Sequence, residues 1–98
     1  MDQDSHVFIN SINQLDMILS RMLIRTKNGD AVENIKNTRL YFDENLKKHN
    51  NQVIAEALEI LNYHYGDIQS KFPMGSDVGI AVTEQLTYYL ELRKKIMI

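Results

Sequence analysis

The residues of this sequence that could take part in chemistry are a histidine and the acidic residues around it. His64 is followed three positions later by Asp67, and Glu56 and Glu59 precede it in the same segment. Such side chains bind metal ions or transfer protons when they converge in a desolvated cleft. No His-Glu-x-x-His or Glu-x-x-His pattern occurs, however. We therefore interpret His64 as a residue at the edge of the core, and the acids as a solvated helix face.

Other catalytic or cofactor motifs are missing from the sequence. It contains no phosphate-binding loop, no nucleophile elbow and no dinucleotide fingerprint. There are no cysteines, which excludes disulfides and thiolate metal sites. We expect no enzymatic activity, no cofactor and no metal site. The least favoured hypothesis is an enzyme or metal carrier that uses His64 and the nearby acids.

Composition and charge indicate the class of protein. The formal net charge of −2 gives no general attraction to nucleic acids or anionic membranes, so neither is expected as a partner. The acidic start Met1-Asp2-Gln3-Asp4 does not resemble a secretory signal. The longest apolar stretch is much shorter than a membrane span. These features predict a cytoplasmic protein without a membrane span.

The elements that would position any site are four amphipathic segments, separated by short clusters of helix-breaking residues. Hydrophobic residues recur at alternating spacings of three and four, as on one face of a helix. We predict one all-α domain over residues 1–98. The predicted helices run from about Ser5 to Lys27, from an Asp30 cap to about Lys48, from an Asn50 or Asn51 cap to Pro73, and from a Ser76 or Asp77 cap onward.

Each predicted helix has an apolar stripe that should face the core. The stripe residues are Phe8, Ile12, Leu15, Leu19 and Met22; Val32, Ile35, Phe42 and Leu46; Ile54, Leu58, Leu61, Tyr65, Ile68 and Phe72; and Val78, Val82, Leu86, Tyr89, Leu90 and Ile96. Asn28-Gly29 is expected to end helix 1 in a left-handed turn. Gly66 either ends helix 3 early or only weakens it. Short connections favour an up-down antiparallel four-helix bundle. A three-helix core with a loosely packed fourth helix is the alternative.

Two tyrosines are predicted to point away from the stripes. Tyr63 lies opposite the helix 3 stripe, among Glu56 and Glu59, and Tyr88 lies opposite Leu86, between Glu84 and Glu91. Tyrosine is enriched in binding hot spots, and surrounding acids would attract a basic partner. Helices 3 and 4 are therefore expected to present similar acidic tyrosine surfaces to a protein.

Helix 1 has large apolar residues on the face opposite its stripe. Met17 and Ile24 lie there, one heptad apart, with Ile9 further back. An amphipathic surface helix should be polar at these positions. We therefore expect a partner, or a second copy of the chain, to cover this face.

These surfaces favour a small protein-binding module. The leading hypothesis is a protein that neutralises or escorts a partner protein, such as an immunity protein or antitoxin that inhibits a basic toxin. The second hypothesis is a structural or regulatory homodimer that associates through helix 1. Both rest on fold analogy and on exposed side chains, because no catalytic residues are predicted.

Overall fold

The structure, a computed structural model, describes residues 3–25 and 28–96. These described residues form four α-helices: α1 (Gln3–Arg25), α2 (Asn28–Asn45), α3 (Asn51–Lys71) and α4 (Asp77–Ile96). They assemble into a four-helix bundle, as predicted from the hydrophobic period. Within the described ranges there is no β-strand.

The helices form a ring in which each helix has two neighbours. α1 packs against α2 and α3, and α4 packs against α3 and α2, whereas α1 lies diagonally opposite α4, and α2 lies diagonally opposite α3, within the described ranges. The short segment 46–50 therefore crosses the bundle diagonally from α2 to α3. Because α4 packs against two helices, the alternative of a loose fourth helix is wrong.

Contacts between side chains give the helix directions. The Gln69 amide donates to the Thr83 hydroxyl over 3.1 Å, which is a contact between the end of α3 and the first half of α4. α3 and α4 are therefore antiparallel. The Phe8 ring near the start of α1 lies 6.2 Å from the Phe42 ring near the end of α2, so this pair is antiparallel as well. Two side-chain contacts between α2 and α4, Arg39 to Gln85 and Asp43 to Tyr88, advance in the same direction along both helices, so α2 runs parallel to α4. α1 therefore runs parallel to α3.

The core is formed by the stripes of all four helices. Its largest fully buried side chains are Tyr65, Tyr89, Phe8, Phe42, Ile12, Leu19, Ile35, Ile54, Leu58, Leu61, Val78 and Val82. The ring centroids of Tyr65 and Tyr89 lie 5.8 Å apart, and those of Phe42 and Tyr89 lie 5.3 Å apart. Aromatic residues from three helices thus meet in the centre of the bundle.

The boundary between α1 and α2 differs from the prediction. Gly29 lies in the first turn of α2 and does not have a positive φ, so Asn28-Gly29 is not a left-handed stop. Asp30 is an acidic residue inside the first turn of α2 and does not precede the helix. The predicted end of helix 1 at Lys27 lies outside the described residues. α2 also ends at Asn45, before the predicted Lys48, in a turn where the Lys48 amide donates to the Asn45 carbonyl oxygen.

The other helix starts follow the capping rules. The Asn50 side-chain oxygen accepts a hydrogen bond from the Val53 amide at 3.0 Å, and the Ser76 hydroxyl accepts one from the Gly79 amide at 3.1 Å. Asn50 and Ser76 are therefore the caps of α3 and α4. Gly66 does not interrupt α3, which continues to Lys71.

Candidate functional site: the exposed face of α1 and α3

The outer side of α1 carries two large apolar side chains that the fold leaves in solvent. Met17 is 54% exposed and Ile24 is 83% exposed. The outward position predicted for both residues is confirmed. Ile9, predicted on the same outer face, is instead buried at the contact with the core. Because α1 is covered by two helices, it buries a wider sector than its apolar stripe, and this sector includes Ile9.

Ile24 borders a groove between α1 and α3. The groove has a volume of about 300 Å³. It is lined by Ser20, Leu23, Ile24, Asp67, Ile68, Lys71 and Phe72. The apolar lining comes from both helices, and Phe72 closes the groove at the end of α3. Ile24 is therefore both a wall of the groove and an exposed apolar side chain beside it.

Tyr63 lies on the same side of the bundle and is 77% exposed, which confirms its predicted outward position. It precedes Asp67 by four residues, so the two side chains share one row on the surface of α3. α1 and α3 are parallel and rise equally per residue, so Met17, seven residues before Ile24, lies level with the turn of α3 that contains Tyr63. Met17, Ile24 and Tyr63 define what we call the α1/α3 face.

The acids near Tyr63 differ in their pairing. Glu59 accepts from Arg93 of α4 over 3.3 Å, and Asp67 accepts from Lys71 over 3.0 Å, both in exposed positions. Glu56 is exposed and has no ion-pair partner among the described residues. Exposed ion pairs add little stability, but they offset the local charge. The negative charge left uncompensated beside Tyr63 is therefore mainly that of Glu56.

Tyr88 is not the outward tyrosine that the sequence predicts. Its hydroxyl donates to Asp43 Oδ1 of α2 over 2.8 Å, and the Arg39 guanidinium lies 3.6 Å from the centroid of its ring. Arg39 also donates to Asp43 and to Gln85. Arg39 thus forms an ion pair with Asp43 over the ring of Tyr88. The half-buried Tyr88 belongs to the α2/α4 contact.

The error at Tyr88 has a counterpart at Leu90. Leu90, which the sequence predicts on the core stripe of α4, is 42% exposed. The buried side of α4 is turned towards α2. Tyr88 is therefore covered at one edge of this side, and Leu90 is exposed at the opposite edge. Glu84 lines a groove between α2 and α4 that also contains Lys36, and Glu91 is exposed on α4. Both acids lie on α4, whereas Tyr63 lies on α3.

The two predicted tyrosine surfaces therefore do not form one site. Tyr63 and the pair Met17 and Ile24, predicted as separate features, are brought together on the α1/α3 face. Tyr88 lies on the other side of the bundle, where α2 and α4 meet.

Sequence reasoning missed a buried acid on α1. Asp16 is 1% exposed, and neither of its carboxylate oxygens has a hydrogen-bond partner among the described residues. Burial raises the pKa of Asp16 to about 7. Its position gave a sign, because it follows Ile12 by four residues and precedes Leu19 by three, which is the spacing of the core face.

Two of the three histidines lie in packing contacts. His49 stacks on Phe8 with ring centroids 4.8 Å apart, and His64 packs edge-on against Tyr63 at 5.4 Å. Across residues 3–25 and 28–96, no three histidine or acidic side chains are grouped as metal ligands would be. None of the helices in these ranges is long and apolar enough to cross a membrane.

Comparison of the chain with protein-family models, with curated proteins and with solved structures found no match.

Proposed function

We propose that the protein is a binding module for another protein, which it neutralises or escorts, and that the α1/α3 face is its contact surface. The observation that carries the proposal is the grouping of three large exposed side chains, Met17, Ile24 and Tyr63, on one side of the bundle. The fold itself does not need large side chains at these exposed positions. Exposed apolar and aromatic side chains that lie on one side of a protein are typical of protein contacts.

The three side chains suit different parts of a contact. Tyr63 offers a large area with few rotatable bonds, a property that makes tyrosine a frequent hot-spot residue. Met17 is unbranched and adapts to irregular partner surfaces. Ile24 borders the apolar groove, which can receive a side chain of the partner. Together they provide a central anchor and flexible apolar surroundings.

The charges around the face favour a basic partner. Glu56 keeps an uncompensated carboxylate near Tyr63, whereas the neighbouring acids are paired within the chain. A Lys or Arg of the partner placed opposite Glu56 would speed encounter and fix orientation. A basic toxin held inactive by this protein would meet the requirement, and so would a basic client protein escorted in the cytoplasm.

The test is purification of the tagged protein from its native cells, together with two variants. One variant, Ile24→Ser with Tyr63→Ala, alters the α1/α3 face; the other, Leu40→Ser, alters an exposed apolar residue of α2. Leu40 is 60% exposed and lies one turn after Lys36, which lines the α2/α4 groove on the other side of the bundle. A basic protein that is retained by the wild type and by Leu40→Ser, but lost from the double variant, supports the proposal. Equal retention by all three proteins contradicts it.

A second copy of the chain is the other candidate occupant of this face. The heptad spacing of Met17 and Ile24 suits a helix pair, and Arg21 lies between them, with its side chain exposed. Glu56 lies eleven residues before Asp67 on α3, about 16 Å away along the helix. Arg21 and Glu56 are therefore near opposite ends of the face, an order that lets two copies meet antiparallel with opposite charges paired.

Solution mass distinguishes the two occupants. If the chain homodimerises through helix 1, the wild type should be a dimer and the variant Met17→Glu plus Ile24→Glu should be a folded monomer. A wild-type monomer at micromolar concentration rules out the dimer and leaves the binding-module proposal unaffected. A dimer that persists in the double variant places the contact elsewhere.

A further inference from the structure

The interior of the bundle holds a carboxyl group that the proposed protein contact does not use. Asp16 lies on the core face of α1, between Ile12 and Leu19, and is almost completely shielded from solvent. Its two carboxylate oxygens receive no hydrogen bond from residues 3–25 or 28–96. A buried carboxylate without donors is very unfavourable, whereas the neutral acid is far less so.

Polar groups from the other three helices lie in the same layer of the core. The buried hydroxyls of Tyr65 in α3 and Tyr89 in α4 have no hydrogen-bond partner among the described residues. The negative charge of an ionised Asp16 would raise the pKa of both tyrosines, although burial is the larger cause in each case. Thr38 of α2 lies beside the Tyr65 hydroxyl but donates to the Asn34 carbonyl oxygen over 2.9 Å. Among the described residues, no cation forms an ion pair with Asp16.

We propose that Asp16 is a proton-binding site of the bundle: protonated Asp16 allows the four helices to close around this layer, and ionisation of Asp16 loosens their packing. The proposal rests on the burial of one unpaired carboxyl group amid hydroxyl groups from all three other helices. It is independent of the proposed partner.

The other ionisable groups near this layer lie at its margins. On α3, His64 directly precedes the buried Tyr65 and is half-buried against Tyr63. On α2, Arg39 and Asp43 act on the Tyr89 side and are paired with each other. On α4, Tyr89 is itself the facing group. Histidine is the side-chain type whose unperturbed charge change falls near neutral pH, so the substitution of His64 serves as a separate control.

The direction of the pH dependence follows from linkage. The folded pKa of Asp16 is about 7, and its ordinary value is 3.8. Between these two values the folded state holds a proton that the unfolded state has lost. The free energy of unfolding therefore falls as pH rises from about 4 to about 7, and above that range Asp16 causes no further change with pH. A paired carboxylate would give the opposite slope.

The experiment is urea denaturation of the wild type, Asp16→Asn and two controls at pH 5, 6, 7 and 8. We expect the wild-type midpoint to fall between pH 5 and pH 7, and Asp16→Asn to lose most of that fall and to exceed the wild-type midpoint at pH 8. Glu56→Gln, which removes an exposed carboxyl group, and His64→Gln should keep the wild-type slope. Parallel profiles for wild type and Asp16→Asn would overturn the proposal.

A direct titration covers the case in which Asp16→Asn does not fold. Carboxyl carbon-13 NMR of the wild type measures the Asp16 titration without any substitution. A midpoint near 7 supports the proton site, and a midpoint near 4 overturns it.

Discussion

The hydroxyl of Tyr88 donates a hydrogen bond to Oδ1 of Asp43 across the α2/α4 contact, at 2.8 Å. This bond places Tyr88 within the fold, beneath the Arg39 guanidinium. Burial, followed by the hydrogen bond to Asp43, raises the pKa of Tyr88. Tyr88 therefore contributes to stability, and Tyr63 is left as the exposed tyrosine of the predicted pair.

Removal of the Tyr88 hydroxyl should cost stability. Tyr88→Phe keeps the ring under Arg39 but removes the donor to Asp43, and we expect a loss of about 1 kcal/mol in the free energy of unfolding. Urea denaturation at pH 7 measures it. Tyr63→Phe is the matched control and should change stability by less than about 0.5 kcal/mol, because Tyr63 lies on the surface. An equal effect of both substitutions would contradict the different positions of the two tyrosines.

Substitution of alanine for glycine should have opposite effects on stability at two positions of the chain. A Cβ at Gly66 meets nothing within 4 Å, and the residue is inside α3, so Gly66→Ala should stabilise by about 1 kcal/mol. A Cβ at Gly79 would collide with the Pro73 carbonyl oxygen, because the loop before α4 folds against its first turn. Gly79→Ala should therefore destabilise despite its better helix propensity.

Thermal unfolding measures both glycine effects. In a chain of this size, 1 kcal/mol corresponds to a shift of roughly 4–8 °C in Tm. A higher Tm for Gly79→Ala would show that the loop around Pro73 is not held as the structure has it.

The cap of α3 gives a further test of the local structure. Asn50→Ala removes the side-chain acceptor for the Val53 amide and should lower the free energy of unfolding by about 1 kcal/mol. Asn51→Ala is the neighbouring control, because Asn51 is the first residue inside the helix and is exposed. Denaturant midpoints of the two variants compare them directly. A greater loss of stability from Asn51→Ala than from Asn50→Ala would show that Asn50 is not the cap of α3.

The order of the helices and most of the core could be predicted from the sequence. The stripe of α3 is correct from Ile54 to Ile68, because its apolar residues keep an unbroken helical period. For the caps of α3 and α4, Asn50 and Ser76, the sequence leaves two neighbouring candidates each, because Asn, Ser and Asp have similar capping preferences.

The rest depends on which helices are neighbours. A helical period gives the direction of the buried face but not its width, and the contact of α4 with α2 decides that Tyr88 is covered and Leu90 is not. Asp16 was missed because a stripe built from apolar residues passes over a polar one at a core position. The union of Tyr63 with Met17 and Ile24 required the parallel packing of α1 and α3.

The charge of Glu56 should control how fast a basic partner binds. Glu56→Gln removes the unpaired carboxylate and should lower the association rate, with a weaker dependence on salt. Glu59→Gln should have less effect, because Arg93 already offsets that charge within the chain. Stopped-flow or surface-based kinetics with the captured partner at two salt concentrations separates the two variants. A larger effect at Glu59 would place the basic group of the partner nearer α4.

The most direct measurement of the proposed function is the Kd of the captured partner for purified wild type, Tyr63→Ala and Leu40→Ser. A hot-spot tyrosine contributes about 2 kcal/mol or more, which is roughly a thirtyfold change in Kd. We predict a weakening of that size for Tyr63→Ala, with unchanged stability, and a change below about twofold for Leu40→Ser. An unchanged Kd for a folded Tyr63→Ala, or a larger loss for Leu40→Ser, would contradict binding through the α1/α3 face.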